Sequence, residues 1–105
     1  MKKNPMTPRW NVHPGEILRE DFLKPLDLSV YKLAQQVHVP APRLNDIVLE
    51  RRGITADTAV RLARFFGTSP EFWTNAQSFY EVRKAQMALA KDLSRIKPLT
   101  PEKIA

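Results

Sequence analysis

From Ser29 to Arg52 the chain reads SVYKLAQQVHVPAPRLNDIVLERR, in which two short apolar stripes are separated by a break too abrupt for one continuous helix. Ser29 is a favoured helix N-cap, and Val30, Leu33, Ala34 and Val37 follow it on one face at helical spacing. A helix is therefore predicted from about Val30 to Val37. His38, Val39 and Pro40 interrupt it. The second stripe, Leu44, Ile47 and Val48, follows prolines that suit a first helical turn and not an interior, so a second helix is predicted from about Ala41 to Leu49. Ala34 is small enough for a close helix crossing, and Val39 and Leu44 can close the corner.

Two such helices at a tight corner are either an ordinary αα-hairpin or a helix-turn-helix, the arrangement that lays its second helix in the DNA major groove. The polar face of the second helix favours the latter. Ala41, Pro42, Arg43, Asn45 and Asp46 lie away from the apolar stripe and are the candidates for base contact. Arginine matches the two major-groove acceptors of guanine, and an asparagine amide both donates to and accepts from adenine. Ser29, Lys32, Arg51 and Arg52 flank the pair and are the candidates for phosphate contact, which fixes register without reading sequence.

A chain of 105 residues has room for one domain with a modest core. Its net charge of +6 is unevenly spread. Residues 1–13 carry three basic and no acidic side chains, residues 81–105 carry six basic and three acidic, and the middle is balanced with eight of each. Affinity for polyanions follows from the excess at the two ends, and specificity does not. With no cysteine, disulfides and thiolate metal sites are excluded, and the chain is compatible with a reducing cytoplasm. MKKNPMTPRW has no apolar run after its lysines, and no stretch of eighteen apolar residues occurs, so a soluble, unexported, cytoplasmic protein without a membrane partner is expected.

Reading outward, residues 1–12 lack periodicity and are expected to form a flexible basic arm. Pro14 at a first helical position, with Glu16 and Glu20 near the positive end of the dipole, opens a helix that carries Ile17, Leu18, Phe22 and Leu23 and ends near Lys24. Another helix starts after Thr55, carries Ala59, Leu62, Ala63 and Phe66, and stops at Gly67. Ser69-Pro70-Glu71 opens a last helix with Phe72, Trp73, Ala76, Phe79 and Tyr80, predicted to run to about Arg95. No stretch alternates with period two. The prediction is an all-α, five-helix domain over residues 13–80, with the helix-turn-helix at 29–49, followed by a C-terminal helix and basic tail over 81–105.

Five helices with the second and third as the reading pair is the arrangement of the Cro/C1-type (lambda repressor-like) domain, and within that superfamily the chain resembles the HigA-type antitoxins. The likeness is carried by His13-Pro14-Gly15-Glu16-Ile17-Leu18, Arg43-Leu44-Asn45-Asp46-Ile47-Val48, Arg52-Gly53-Ile54-Thr55-Ala56-Asp57-Thr58-Ala59 with Arg61-Leu62-Ala63-Arg64, and Gly67-Thr68-Ser69-Pro70-Glu71-Phe72-Trp73. The resemblance implies a homodimer that binds inverted-repeat double-stranded operator DNA, represses its own operon and blocks a HigB-like messenger-RNA-cleaving ribonuclease toxin. It assigns base contact to Arg43 and Asn45, with Ala41 and Pro42 at the helix tip. At the turn, where the superfamily often has glycine, this chain has His38, a residue that tolerates positive φ better than most.

His13 and His38 have no acidic partner at ligand spacing, which leaves them as a cap and a turn residue with no metal or cofactor expected. Thr55, Asp57 and Thr58 fit a phosphate site at a helix N-terminus and fit plain capping equally well. The late aromatic cluster is either a stacking platform for single strands or core and interface. We expect the latter, with Trp73, Phe79, Tyr80 and Met87 at the dimer interface. A stand-alone Cro/C1-type repressor would share the DNA site and lack the toxin. A ribonuclease would need a mixed α/β fold and a catalytic cluster, and with neither visible no catalytic residue is expected.

Overall fold

A computed structural model describes residues 11–100, and they form helices with no strand among them. The first helix, α1 (Pro14–Ile17), begins where the sequence placed it. His13 caps it through Nδ1, which accepts from the Gly15 N–H at 2.8 Å. α1 runs directly into a π-helical segment, Leu18–Leu23, with the Lys24 N–H reaching back to the Arg19 carbonyl. The wider turn stacks residues five apart, which is how Leu18 and Leu23 both reach the core where an α-helix would splay them.

α2 (Val30–Val37) is capped by the Ser29 hydroxyl and ends at His38, which adopts the left-handed conformation with φ 59° and ψ 47°. α3 (Ala41–Val48) starts after Pro40 with no side-chain cap. Pro42, lacking an N–H, occupies its first turn, and the Pro40 carbonyl accepts from Arg43 and Leu44 at 3.0 and 3.2 Å. Leu49 is the C-cap of α3 and lies just outside it. α4 (Ala56–Phe66) is capped by Thr55 and closed by Gly67 at φ 78°. α5 (Pro70–Ala88) is capped by Ser69.

The five helices predicted for the domain are present, but the last of them does not run unbroken to Arg95: it stops at Leu89, beyond which a short α6 (Ala90–Ser94) follows among the described residues. Every residue from Glu81 to Thr100 is exposed. No tertiary packing holds this stretch straight. No helix among the described residues is long and apolar enough to cross a membrane.

The core sits where α1, α2, α3, α4 and the first half of α5 meet. Leu18, Leu33, Leu44, Ile47, Leu62 and Trp73 are completely buried, and Ala34 sits among them as the small residue of the crossing. Each such side chain contributes roughly 1.5–3 kcal/mol of transfer free energy. Trp73 requires a correction. It was expected at the dimer interface, but it is wholly inside, with its ring 5.0 Å from that of Phe22 and its Nε1 donating to the Thr68 hydroxyl at 2.9 Å. With no surface left to offer, it ties α5 to the π segment of the first helix.

Candidate nucleic-acid interface

The stripe that buries α3 decides which of its side chains face outward. Leu44, Ile47 and Val48 are committed to the core, so Pro42, Arg43 and Asn45 are exposed, with Ala41 and Asp46 half-buried at the edges. Among the described residues, Arg43 and Asn45 make no side-chain hydrogen bond or ion pair. Their donors and acceptors are uncommitted, as a side chain that meets base edges must be.

Asp46 differs. Its Oδ1 lies 3.2 Å from Arg51 Nη2, and its carbonyl accepts from the Arg51 N–H at 2.8 Å. This pair joins a residue predicted to contact bases to one predicted to contact phosphate. The Arg51 guanidinium remains largely in solvent, and Arg52 beside it is exposed. At the other end of the pair, Ser29 and Lys32 are exposed at the N-terminus of α2, where the Ser29 Oγ accepts from the Lys32 N–H at 3.0 Å. Ser29 is thus first a helix cap.

Four residues that steady this surface were not singled out from the sequence. Arg19 donates through Nη1 to the Val48 carbonyl at the C-terminus of α3, and its other nitrogens engage Glu20 at 3.0 Å and Glu50 at 3.2 Å. Arg61 on α4 donates to the Val37 and His38 carbonyls at the end of α2. Gln77, buried on α5, accepts from the Ile54 N–H at 2.7 Å and donates to Glu81 at 2.8 Å, fixing the loop that carries Arg51 and Arg52. Gly53 in that loop passes so near Gln77 that a Cβ would sit 2.7 Å from its amide nitrogen. The i, i+4 spacing of Asp57 and Arg61 was a readable sign that Arg61 would be held in place. The Val48 carbonyl that Arg19 meets and the Ile54 N–H that Gln77 meets, 29 and 23 residues away, gave no such sign.

Of the aromatic cluster, Phe79 is two-thirds exposed and Tyr80 half-buried. Together with Asn11, Val12, Ile17 and Phe72 they line an open apolar groove of about 480 Å³ between α1 and α5. Met87 is exposed beyond it. No group of three or more side chains able to hold a metal occurs among the described residues.

The model of the helix-turn-helix family matches residues 20–73, just over half of the chain, and spans both helices of the pair. The chain belongs to the Cro/C1-type helix-turn-helix family. It is 53% identical over 75 residues to virulence-associated protein I of Dichelobacter nodosus, covering 71% of this chain and 69% of that protein. Its helix-turn-helix fold superposes on the Pseudomonas aeruginosa antitoxin HigA, solved with the higBA promoter, with a TM-score of 0.82 and 50% identity, covering 85% of this chain and 98% of that one. The antitoxin GraA, solved in complex with its operator, matches with a TM-score of 0.79 and 39% identity over 95% of this chain and 99% of its own. The structural neighbours of this chain include HigA antitoxins, the family that the resemblance in its sequence implied.

Proposed function

We propose that the protein is an antitoxin and autorepressor. As a homodimer it binds an inverted-repeat operator through α3, and it neutralises a HigB-like messenger-RNA-cleaving toxin made from the same operon. The observation that carries this reading is the exposed, uncommitted pair Arg43 and Asn45 on a helix whose other face is locked into the core. The fold that presents the pair is, at 50% identity, that of an antitoxin solved on promoter DNA. Arg43 and Asn45 read base edges, Ala41 and Pro42 allow close approach at the tip, and Asp46 adjoins them. Arg51, Arg52, Lys32 and Ser29 set the register on phosphates.

The dimer forms through the apolar side of α5, with Phe79 and Met87, which one copy leaves exposed, and Tyr80, which it half-buries. A two-fold dimer needs half-sites about one helical turn apart. The toxin docks away from the groove, on the arm and the first helix. Residues 1–10 of that arm lie outside the described residues. Co-expression with the neighbouring toxin gene tests the division. Arg43→Ala is expected to lose operator repression and still rescue growth, and a chain starting near Trp10 is expected to repress better than it rescues. Loss of rescue by a folded, dimeric Arg43→Ala would overturn this assignment. Full repression with no toxin partner would leave a stand-alone repressor.

A further inference from the structure

The corner between α2 and α3 aims the recognition helix, and its own backbone leaves two consecutive carbonyls, those of Val37 and His38, to be taken by a side chain from elsewhere. Its sequence is His38-Val39-Pro40. His38 sits in the left-handed region without being glycine, and Pro40 has no N–H to contribute. The end of α2 leaves carbonyls that need donors. The Ala34 carbonyl takes the N–H groups of His38 and Val39. The Val37 and His38 carbonyls are taken by one side chain from another helix, Arg61, whose Nη1 lies 3.0 and 3.2 Å from them. The Arg61 guanidinium is in turn held through Nε by Asp57 one turn earlier on α4, at 2.7 Å. The planar fork thus bridges a carboxylate on α4 and two consecutive carbonyls at the corner, a geometry a lysine ammonium cannot reproduce.

We propose that Arg61 is a positioning residue for DNA reading: with Asp57 it pins the α2–α3 corner to α4 and so fixes the angle at which Ala41, Pro42 and Arg43 enter the groove, without itself touching DNA. This inference rests on the assignment of α3 as the recognition helix. Its effect is on specificity, since an altered entry angle misplaces base contacts more than it weakens attraction to phosphates.

The test compares Arg61→Lys and Asp57→Ala with the unaltered full chain on two duplexes, the promoter upstream of its own gene and a random sequence of equal length, across a salt series. Far-UV circular dichroism and light scattering confirm fold and assembly. Both variants are expected to lose about tenfold in preference for the promoter with an unchanged salt slope. Amides of His38 and Val39 are expected to exchange faster in the free protein. Asp57→Ala is the sharper arm, because removal of a negative charge makes a tighter DNA binder on electrostatics alone, while loss of positioning makes a less selective one. Full preference in Arg61→Lys would show that only the charge matters and overturn the proposal. Equal losses on both duplexes, or a slope shallower by about one, would do the same by making Arg61 a phosphate contact. If the unaltered chain shows no preference for the promoter, the operator assignment fails, and unchanged exchange at His38 and Val39 would then overturn the positioning role independently.

Discussion

Gly15 lies so close to the backbone of Ile47 that a Cβ on it would stand 1.8 Å from the Ile47 carbonyl oxygen. The N-terminus of the first helix therefore rests on the C-terminal end of α3 with no side chain between them. His13, the cap of that first helix, touches the Tyr80 ring on α5, with centroids 4.7 Å apart. Three helices meet at this one point.

Gly15→Ala is expected to force α1 off α3 at a cost of about 3 kcal/mol, at the upper end of overpacking effects. In thermal unfolding this is a fall of more than about 10 °C. Gly67→Ala is the control. Gly67 has nothing within 4 Å of a built Cβ, so only its positive φ opposes the change, at about 1–2 kcal/mol. Equal effects from the two substitutions would refute the close-contact argument.

His13 makes stability depend on pH. Burial lowers its pKa below the ordinary 6.5, with Lys84 and Arg19 acting in the same direction and Glu50 opposing them. Its Nδ1 must also be unprotonated to accept from Gly15. Because the folded-state value is the lower one, the unfolded chain binds the proton first as pH falls. The contribution is complete above about pH 6.5, is lost as pH falls from there towards the folded pKa, and levels off below it. Urea unfolding of the unaltered chain between pH 5 and 8 is expected to show this loss. His13→Asn, a cap without a titration, is expected to remove it.

These two features also show what a single sequence conceals. The helix starts and stops were legible because a cap is a local event: Ser29, Thr55 and Ser69 each accept from an N–H three residues on, and Gly67 closes α4. His38 was legible as a turn residue for the same reason. The π segment is written in the doublets Ile17-Leu18 and Phe22-Leu23, which repeat after five residues, but on spacing alone they fit an ordinary helical stripe as well. The break at Leu89 has neither glycine nor proline to announce it. Trp73 was misplaced because an apolar stripe gives the amount of surface to be buried and not which neighbour buries it. Arg61 meets carbonyls 23 and 24 residues away, and Arg19 one 29 residues away, distances over which spacing carries no information.

Gln77→Leu is expected to cost about 1–3 kcal/mol in denaturant unfolding, because it strands the buried Ile54 N–H that the amide now satisfies. Adding the same change to Gly53→Ala is expected to cost less than the sum of the two, since Gly53 is needed to make room for the Gln77 amide. Strict additivity would show that the two positions do not meet.

On DNA, Arg43→Ala and Asn45→Ala are each expected to cost on the order of 1–3 kcal/mol on the operator and to relax base preference. Arg51→Ala is expected to weaken all duplexes alike. Footprints with equal losses on specific and random DNA for both α3 variants would remove the recognition-helix assignment.

For assembly, light scattering is expected to give about twice the chain mass of 12.1 kDa. Phe79→Asp, at an exposed position on α5, is expected to return the single-chain mass without unfolding the domain. A single-chain mass for the unaltered protein at tens of micromolar would exclude the dimer.

The start of α3 leaves few backbone donors for a ligand. Pro42 has no N–H, and those of Arg43 and Leu44 are occupied by the Pro40 carbonyl. Whatever this tip recognises, it recognises with exchangeable side chains on a scaffold whose inner face is already fixed. Preference for a new target can therefore drift by replacing two or three surface residues, one at a time, while the folded domain stays intact through every intermediate.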